Sequence, residues 1–309
     1  MKLLILFLVF IIISGIILHF LSNRETPEKE VAREHISESV DAEEQKTGVV
    51  RLEMKYLAPL ANGHFELWIQ TESEKISLKK FQLLANNPIA VALDNTEILK
   101  NEFVLPENIS LEKIKKKYFT IESDGDVDSV PSGVTLLSGN VGKTNGSDTF
   151  IAQMEFQGAR LTNASGKFIL ATPTNDPEEV ERSGIWFVIP GVIERPSLVL
   201  IEPSSGWKYE AWVYHQNTFI SMGRFLRARG SDDFSGYSGA SGNVPSFPGE
   251  DFLINAPKEL GFDFPLNLAD GESMVYLTIE PDINGVDPTG PQPFLLQPFL
   301  ANIPLDAKD

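Results

Sequence analysis

Two stretches of this chain repeat each other at one fixed distance, and that distance limits the fold more than any other feature. HFELW (His64 to Trp68) and KISLKKF (Lys75 to Phe81) return as KYEAW (Lys208 to Trp212) and FISMGRF (Phe219 to Phe225). Phe65, Glu66, Trp68, Ile76, Ser77 and Phe81 correspond to Tyr209, Glu210, Trp212, Ile220, Ser221 and Phe225, every pair 144 residues apart. In a third block, Thr120-Ile121-Glu122 of YFTIESDGDVDSVPSG matches Thr278-Ile279-Glu280 of VYLTIEPDINGVDPTG at an offset of 158. The second copy therefore holds 14 extra residues between its second and third blocks. That interval contains RGSDDFSGYSGASGNVPSFPGED (Arg229 to Asp251), whose Gly/Ser-rich composition predicts a surface loop. Self-similarity of this kind predicts a duplicated domain.

Each block has the form of a strand. In HFELWIQ, Phe65, Leu67 and Ile69 alternate with Glu66, Trp68 and Gln70, the period of a two-sided strand. GIWFVIPG, SLVLIEP and GVTLLSG are short apolar runs bounded by Gly, Pro or Ser, and 20 prolines with 23 glycines leave little room for long helices. The best helical candidates are ISLEKIKKK (Ile109 to Lys117) and DPEEVERS (Asp176 to Ser183). The expectation is a mostly β chain, with two tandem diverged domains over 48–163 and 164–309 that are either β-sandwich-like or barrel-like.

Residues 1–22 contain LLILFLVFIIISGIILHFL (Leu3 to Leu21), an apolar run long enough to cross a bilayer as a helix. It reads as an uncleaved anchor rather than a signal segment, because its apolar centre is long and no small-x-small cleavage site is clear. Lys2 precedes the span while Arg24, Lys29 and Arg33 follow it among glutamates, so charge does not set the orientation. A two-residue head favours sending the following chain outward. Residues 23–47 are polar and Glu-rich, as in a spacer. The expected location is the cell membrane, single-pass, with the bulk of the chain extracytoplasmic. The formal charge of −17 disfavours a nucleic-acid partner. The absence of cysteine excludes disulfides, a thiolate nucleophile and Cys-based zinc.

Trp68 and Trp212 read as core plugs, the alternative being an exposed aromatic platform. For Glu66 and Glu210 the expectation is a solvent-facing position with a salt bridge to Lys80 or Arg224. Asp124, Asp126 and Asp128 alternate in SDGDVDS, and Asp282, Asn284 and Asp287 lie in the matching EPDINGVDP. Oxygen ligands at such spacing suit Ca²⁺, whereas Asx-turns explain the same residues without metal. The EF-hand glutamate is absent. His19, His35, His64 and His215 are too scattered along the chain for a zinc site. Ser238 and Ser241 in GYSGASG lack the surroundings of a nucleophile elbow. No catalytic residue or cofactor motif is identified.

Over roughly Gly184 to Pro304, the string GIWFVIPG…GWKYEAWVYHQNTFISMGRF…FPGEDFLINAP…VYLTIEPDINGVDPTGPQPFLLQPFLANIP resembles the extracytoplasmic domain of anti-sigma-K-type factors, and Gly48 to Gly139 does so less clearly. Trp207-Lys208-Tyr209-Glu210-Ala211-Trp212 and Thr278-Ile279-Glu280-Pro281-Asp282 carry the likeness. In that family a cytoplasmic segment holds a sigma factor. Only Met1 and Lys2 precede the span here, so the expectation is no direct sigma-factor binding. The resemblance implies a non-enzymatic outer module that binds or senses, with an envelope protein or glycan as partner. The alternative is an extracytoplasmic hydrolase using paired carboxylates, in one copy only.

Overall fold

The computed structural model describes residues 48–51, 59–84, 87–93, 97–99, 102–144, 147–150, 153–154, 164–174, 180–240 and 244–307. The membrane span and spacer expected over 1–47 lie outside these residues, as do His19 and His35. No helix among the described residues is long and apolar enough to cross a membrane. The chain is mostly β, and it divides into two compact units, with the division along the sequence after residue 155.

In the first unit the strands are β1 (Val49–Arg51), β2 (His64–Gln70), β3 (Lys75–Leu84), β4 (Asn87–Val91), β5 (Glu102–Val104), β6 (Lys116–Glu122), β7 (Thr135–Thr144), β8 (Ser147–Phe150) and β9 (Gln153–Met154). Seven of them form a sheet in the order β4-β3-β2-β6-β7-β8, with β9 also on β7, and β1 pairs with β5. The second unit contains β10 (Ile169–Leu170), β11 (Gly184–Trp186), β12 (Val188–Ile189), β13 (Arg195–Pro196), β14 (Trp207–His215), β15 (Thr218–Phe225), β16 (Gly249–Asp251), β17 (Met274–Pro281) and β18 (Phe299–Asn302). Its sheets run β15-β14-β17-β18, β10-β11-β16 and β12-β13.

The repeated blocks fall on β2, β3 and β6 in the first unit and on β14, β15 and β17 in the second, and the pairing is the same in both. Phe65 lies opposite Phe81 and Ile121, as Tyr209 lies opposite Phe225 and Ile279. Each hairpin register also breaks at the same point, between Leu67 and Trp68 and between Ala211 and Trp212. One residue of the second hairpin strand, Leu78 or Met222, is thereby left without an opposite partner. In a strand, shifting the register by one residue moves every following side chain to the other face. The bulge therefore sets Ser77 opposite Trp68, and Ser221 opposite Trp212, on the face that also carries the glutamate.

The face of Phe65, Leu67 and Ile69 is apolar core, where Phe81 stacks on Phe65 at 5.8 Å and meets Phe119 edge-on at 5.9 Å. Tyr209 and Phe225 repeat the stack at 5.8 Å. The alternation read from the sequence is present, but both of its faces are buried: β2 and β14 are middle strands, and Trp68 and Trp212 are 0% and 1% exposed.

The helix expected over Ile109–Lys117 and the loop expected over Arg229–Asp251 are corrected. Ile109–Lys117 is not a helix: only Leu111–Lys113 makes a 3₁₀ turn, because Ile114 turns into the core and Lys116 onward pairs with β2. Of Asp176–Ser183, Glu181–Ser183 forms a 3₁₀ turn and 175–179 lie outside the described residues. The Gly/Ser-rich insertion is also more than a surface loop. Its end forms β16, with Glu250 and Asp251 fully buried, and Asp233 lies against β15 through an Arg224 backbone N–H donating to Asp233 Oδ1 at 2.7 Å.

Trp68→Ala and Trp212→Ala each remove a fully enclosed side chain at the centre of a core. Each is expected to destabilise its own unit by about 3–5 kcal/mol in urea unfolding.

Candidate functional site

The face shared by the glutamate and the tryptophan carries a polar network that occurs in both units. In the first, Trp68 Nε1 donates to Thr120 Oγ1 at 2.9 Å, and the Thr120 hydroxyl donates to Glu122. Ser77 donates to Glu66 Oε1, and the Ser132 backbone N–H donates to Glu122 Oε1 at 2.9 Å. In the second, Trp212 Nε1 donates to Thr278 Oγ1 at 2.8 Å, Thr278 bonds Glu280, and Ser221 donates to Glu210 Oε1. The backbone N–H of Phe294 (2.8 Å) and the hydroxyl of Thr289 (3.1 Å) donate to Glu280. A buried polar atom without a partner is costly, so these donors are what allow a carboxylate in a middle strand. Every side chain common to both networks belongs to a repeated block.

The four glutamates are enclosed. Glu66 and Glu280 are 0% exposed, Glu122 is 3% and Glu210 is 5%. The expected solvent-facing position of Glu66 and Glu210 is thus overturned. Burial raises the pKa of all four, to about 8 for Glu210 and about 7 for Glu280. Ser77 and Lys80 oppose the rise at Glu66. Two buried oxygens, Glu66 Oε2 and Glu210 Oε2, have no hydrogen-bond partner, and neither has His64 Nε2.

The flanking cations differ. Lys80 Nζ lies 2.6 Å from Asp126 and 4.0 Å from Glu66 Oε2. Arg224, at the matching position, does not pair with Glu210 as expected. Its Nη1 reaches Asp282 at 3.2 Å and its Nη2 donates to the Gly285 carbonyl at 2.6 Å.

The six oxygen ligands suggested by the acidic loops do not converge as a set. Asp126 joins His64 and Glu66, and Asp287 joins Glu210 and Glu280, with ligand atoms inside 4.8 Å in each group. Asp124 is exposed, Asp128 accepts the Val130 backbone N–H at 2.7 Å in an Asx-turn, and Asp282 is ion-paired with Arg224 and Lys208. Asn284 is an exposed turn residue with φ 52°. His215, in the second unit, lies against Ser273 at 2.8 Å and Asp270 at 3.3 Å.

The sequence reading passed over Glu122 and Glu280 as site residues, although the repeated Thr-Ile-Glu was a signal: a carboxylate kept twice in an apolar strand. It also passed over Asp232 and Glu250, whose pKa values burial lifts to about 6 and about 7. Their place in a Gly/Ser-rich stretch gave no signal. Carboxyls with such pKa values have the proton affinity of a general acid, yet at 0–5% exposure the paired glutamates are closed to a substrate in this conformation. Ligating a cation is the chemistry their geometry leaves open. No family model, curated protein or solved structure matches this chain.

A carboxyl with a higher pKa folded than unfolded holds its proton more tightly in the fold, so its stabilising contribution is complete below the unfolded value and declines as pH rises. Stability of the second unit is expected to fall from about pH 4.5 to about pH 8, the range spanned by Glu210 and Glu280. Denaturant midpoints measured across this range should show the slope, and Glu210→Gln should flatten it.

Proposed function

We propose that this chain is a membrane-anchored, extracytoplasmic binding or sensing protein built from a duplicated β module. The apolar run Leu3 to Leu21 and the polar stretch over 23–47 support the anchor and spacer. The likeness of Gly184 to Pro304 to the outer domain of anti-sigma-K-type factors supports a non-enzymatic module. The observation that carries the binding reading is an apolar tip on the second unit. Strands β12 and β13 form a hairpin whose connection holds Val192, fully exposed, and Ile193, 79% exposed, next to Ile189 at 36%. Aliphatic side chains grouped at a hairpin tip gain nothing for their own unit and suit the surface of a partner. An envelope protein is the partner chemistry that fits such a tip.

The repeat argues against the hydrolase alternative. Carboxylates that served one active site would be retained in one copy, whereas enclosed pairs occur in both. Full-length protein in detergent, used as bait against its native membranes, is expected to retain a specific protein. Val192→Asp with Ile193→Asp should abolish that capture without altering the urea midpoint. Capture that survives the double substitution removes the hairpin from the reading, and no capture at all removes the reading.

A further inference from the structure

The two networks share their paired glutamates but balance the charge differently, with Asp126 beside one pair and Asp287, at a non-matching position, beside the other. In the first unit the Lys80 ammonium stands among the carboxylates, bonded to Asp126 and 4.0 Å from the otherwise unpartnered Glu66 Oε2. In the second unit Arg224 makes no ion pair with Glu210, although its charge still favours the ionised forms of Glu210 and Asp287. Asp282 and the Gly285 carbonyl take its terminal nitrogens, and Asp233 lies 3.5 Å from its Nε. Asp233 belongs to the insertion, so the residues that make the second copy longer also help to draw its cation aside. Lys208 is likewise directed to Asp282 and Asp233, each at 3.4 Å. Among the described residues, no Lys, Arg or His nitrogen comes within 4.0 Å of Glu210, Glu280 or Asp287.

Those three carboxylates converge. One oxygen of each lies within 4.8 Å of the other two. Glu210 is 95% enclosed; Ser221 occupies its Oε1, and its Oε2 has no partner at all. Glu280 and Asp287 are held in place by the Phe294 N–H at 2.8 Å on one and the Thr289 N–H at 2.8 Å on the other, with the Thr289 hydroxyl bonding both. Orienting hydrogen bonds of this kind are what metal-ligating carboxylates ordinarily have.

We propose that Glu210, Glu280 and Asp287 form a binding site for a hard divalent cation, calcium by its ligand type, at the glutamate whose counterpart Glu66 faces the Lys80 ammonium. A donor set of carboxylate oxygens alone selects calcium or magnesium over the softer transition metals. Carboxylates able to bind through one or both oxygens suit the larger, less regular calcium shell better than the strict octahedron of magnesium. The cation would pair the orphaned Glu210 oxygen and relieve repulsion among the three acids. This inference is independent of the hairpin and of any partner.

Calcium chloride titrated calorimetrically into EDTA-treated, full-length protein in detergent is expected to bind at one ion per chain, with magnesium chloride binding more weakly. Asp287→Asn should weaken calcium binding by more than about tenfold. Asp126→Asn, in the first unit, should leave it unchanged. Should Asp287→Asn fail to fold, the near-isosteric Glu210→Gln is expected to show the same loss. Folded wild-type protein that gives no heat at millimolar calcium overturns the proposal. So does calcium binding that persists undiminished in the folded Asp287→Asn or Glu210→Gln variant.

Discussion

A carboxylate in the middle strand of a sheet, enclosed on every side, dictates much of what surrounds it. Glu66 and Glu210 each sit between two hydrogen-bonded neighbours, with no route for the side chain to water. A group in that position must have donors supplied by its own fold. A serine across the hairpin supplies one, and the bulge exists at the point that brings this serine to the correct face. The neighbouring tryptophan then needs an acceptor, which is a threonine, and that threonine donates in turn to a second glutamate. Satisfying one buried oxygen thus fixes residues on three strands.

This dependence explains how much was legible in the sequence. Phe65, Trp68, Thr120 and their counterparts were recognisable because residues that share one network recur at one spacing, and the strands they marked are the strands of the structure. The tryptophans are core residues, as their size suggested. The alternation in HFELWIQ located the strand but misled about its outer face. Period two separates two faces without saying that one of them meets water, and a middle strand covered on both sides keeps the same pattern. The helix expected at Ile109 to Lys117 failed for a related reason. Its lysines favour a helix locally, but Lys116 and Lys117 lie in a ladder with Gln70 and Ile69, and tertiary pairing outweighs local propensity. The contact of Arg224 with Asp233 was not legible, since Asp233 comes from an insertion with no counterpart in the first copy.

The units differ most where charge must be balanced. One has an ammonium among its acids; the other directs its guanidinium outward to two aspartates and a carbonyl. Lysine and arginine suit these separate tasks. The compact ammonium fits among carboxylates, whereas the planar fork of arginine reaches several acceptors at once. A substitution that looks conservative in the repeat, Lys80 against Arg224, therefore marks a real divergence in what the cation at this position binds.

The bulge also bears on how such a module can change over time. Side chains beyond Leu78 and Met222 keep their faces only because one residue of the second hairpin strand lies outside the ladder. Loss or gain of a single residue within that strand would exchange its inner and outer sides, placing Lys80 or Arg224 among the aromatic rings and Phe81 or Phe225 against the carboxylates. Between the second and third blocks, by contrast, 14 residues have been accommodated with the pairing of the three repeated strands intact. Length in this module is free to drift between the strands, and within β3 and β15 it is held to the single residue.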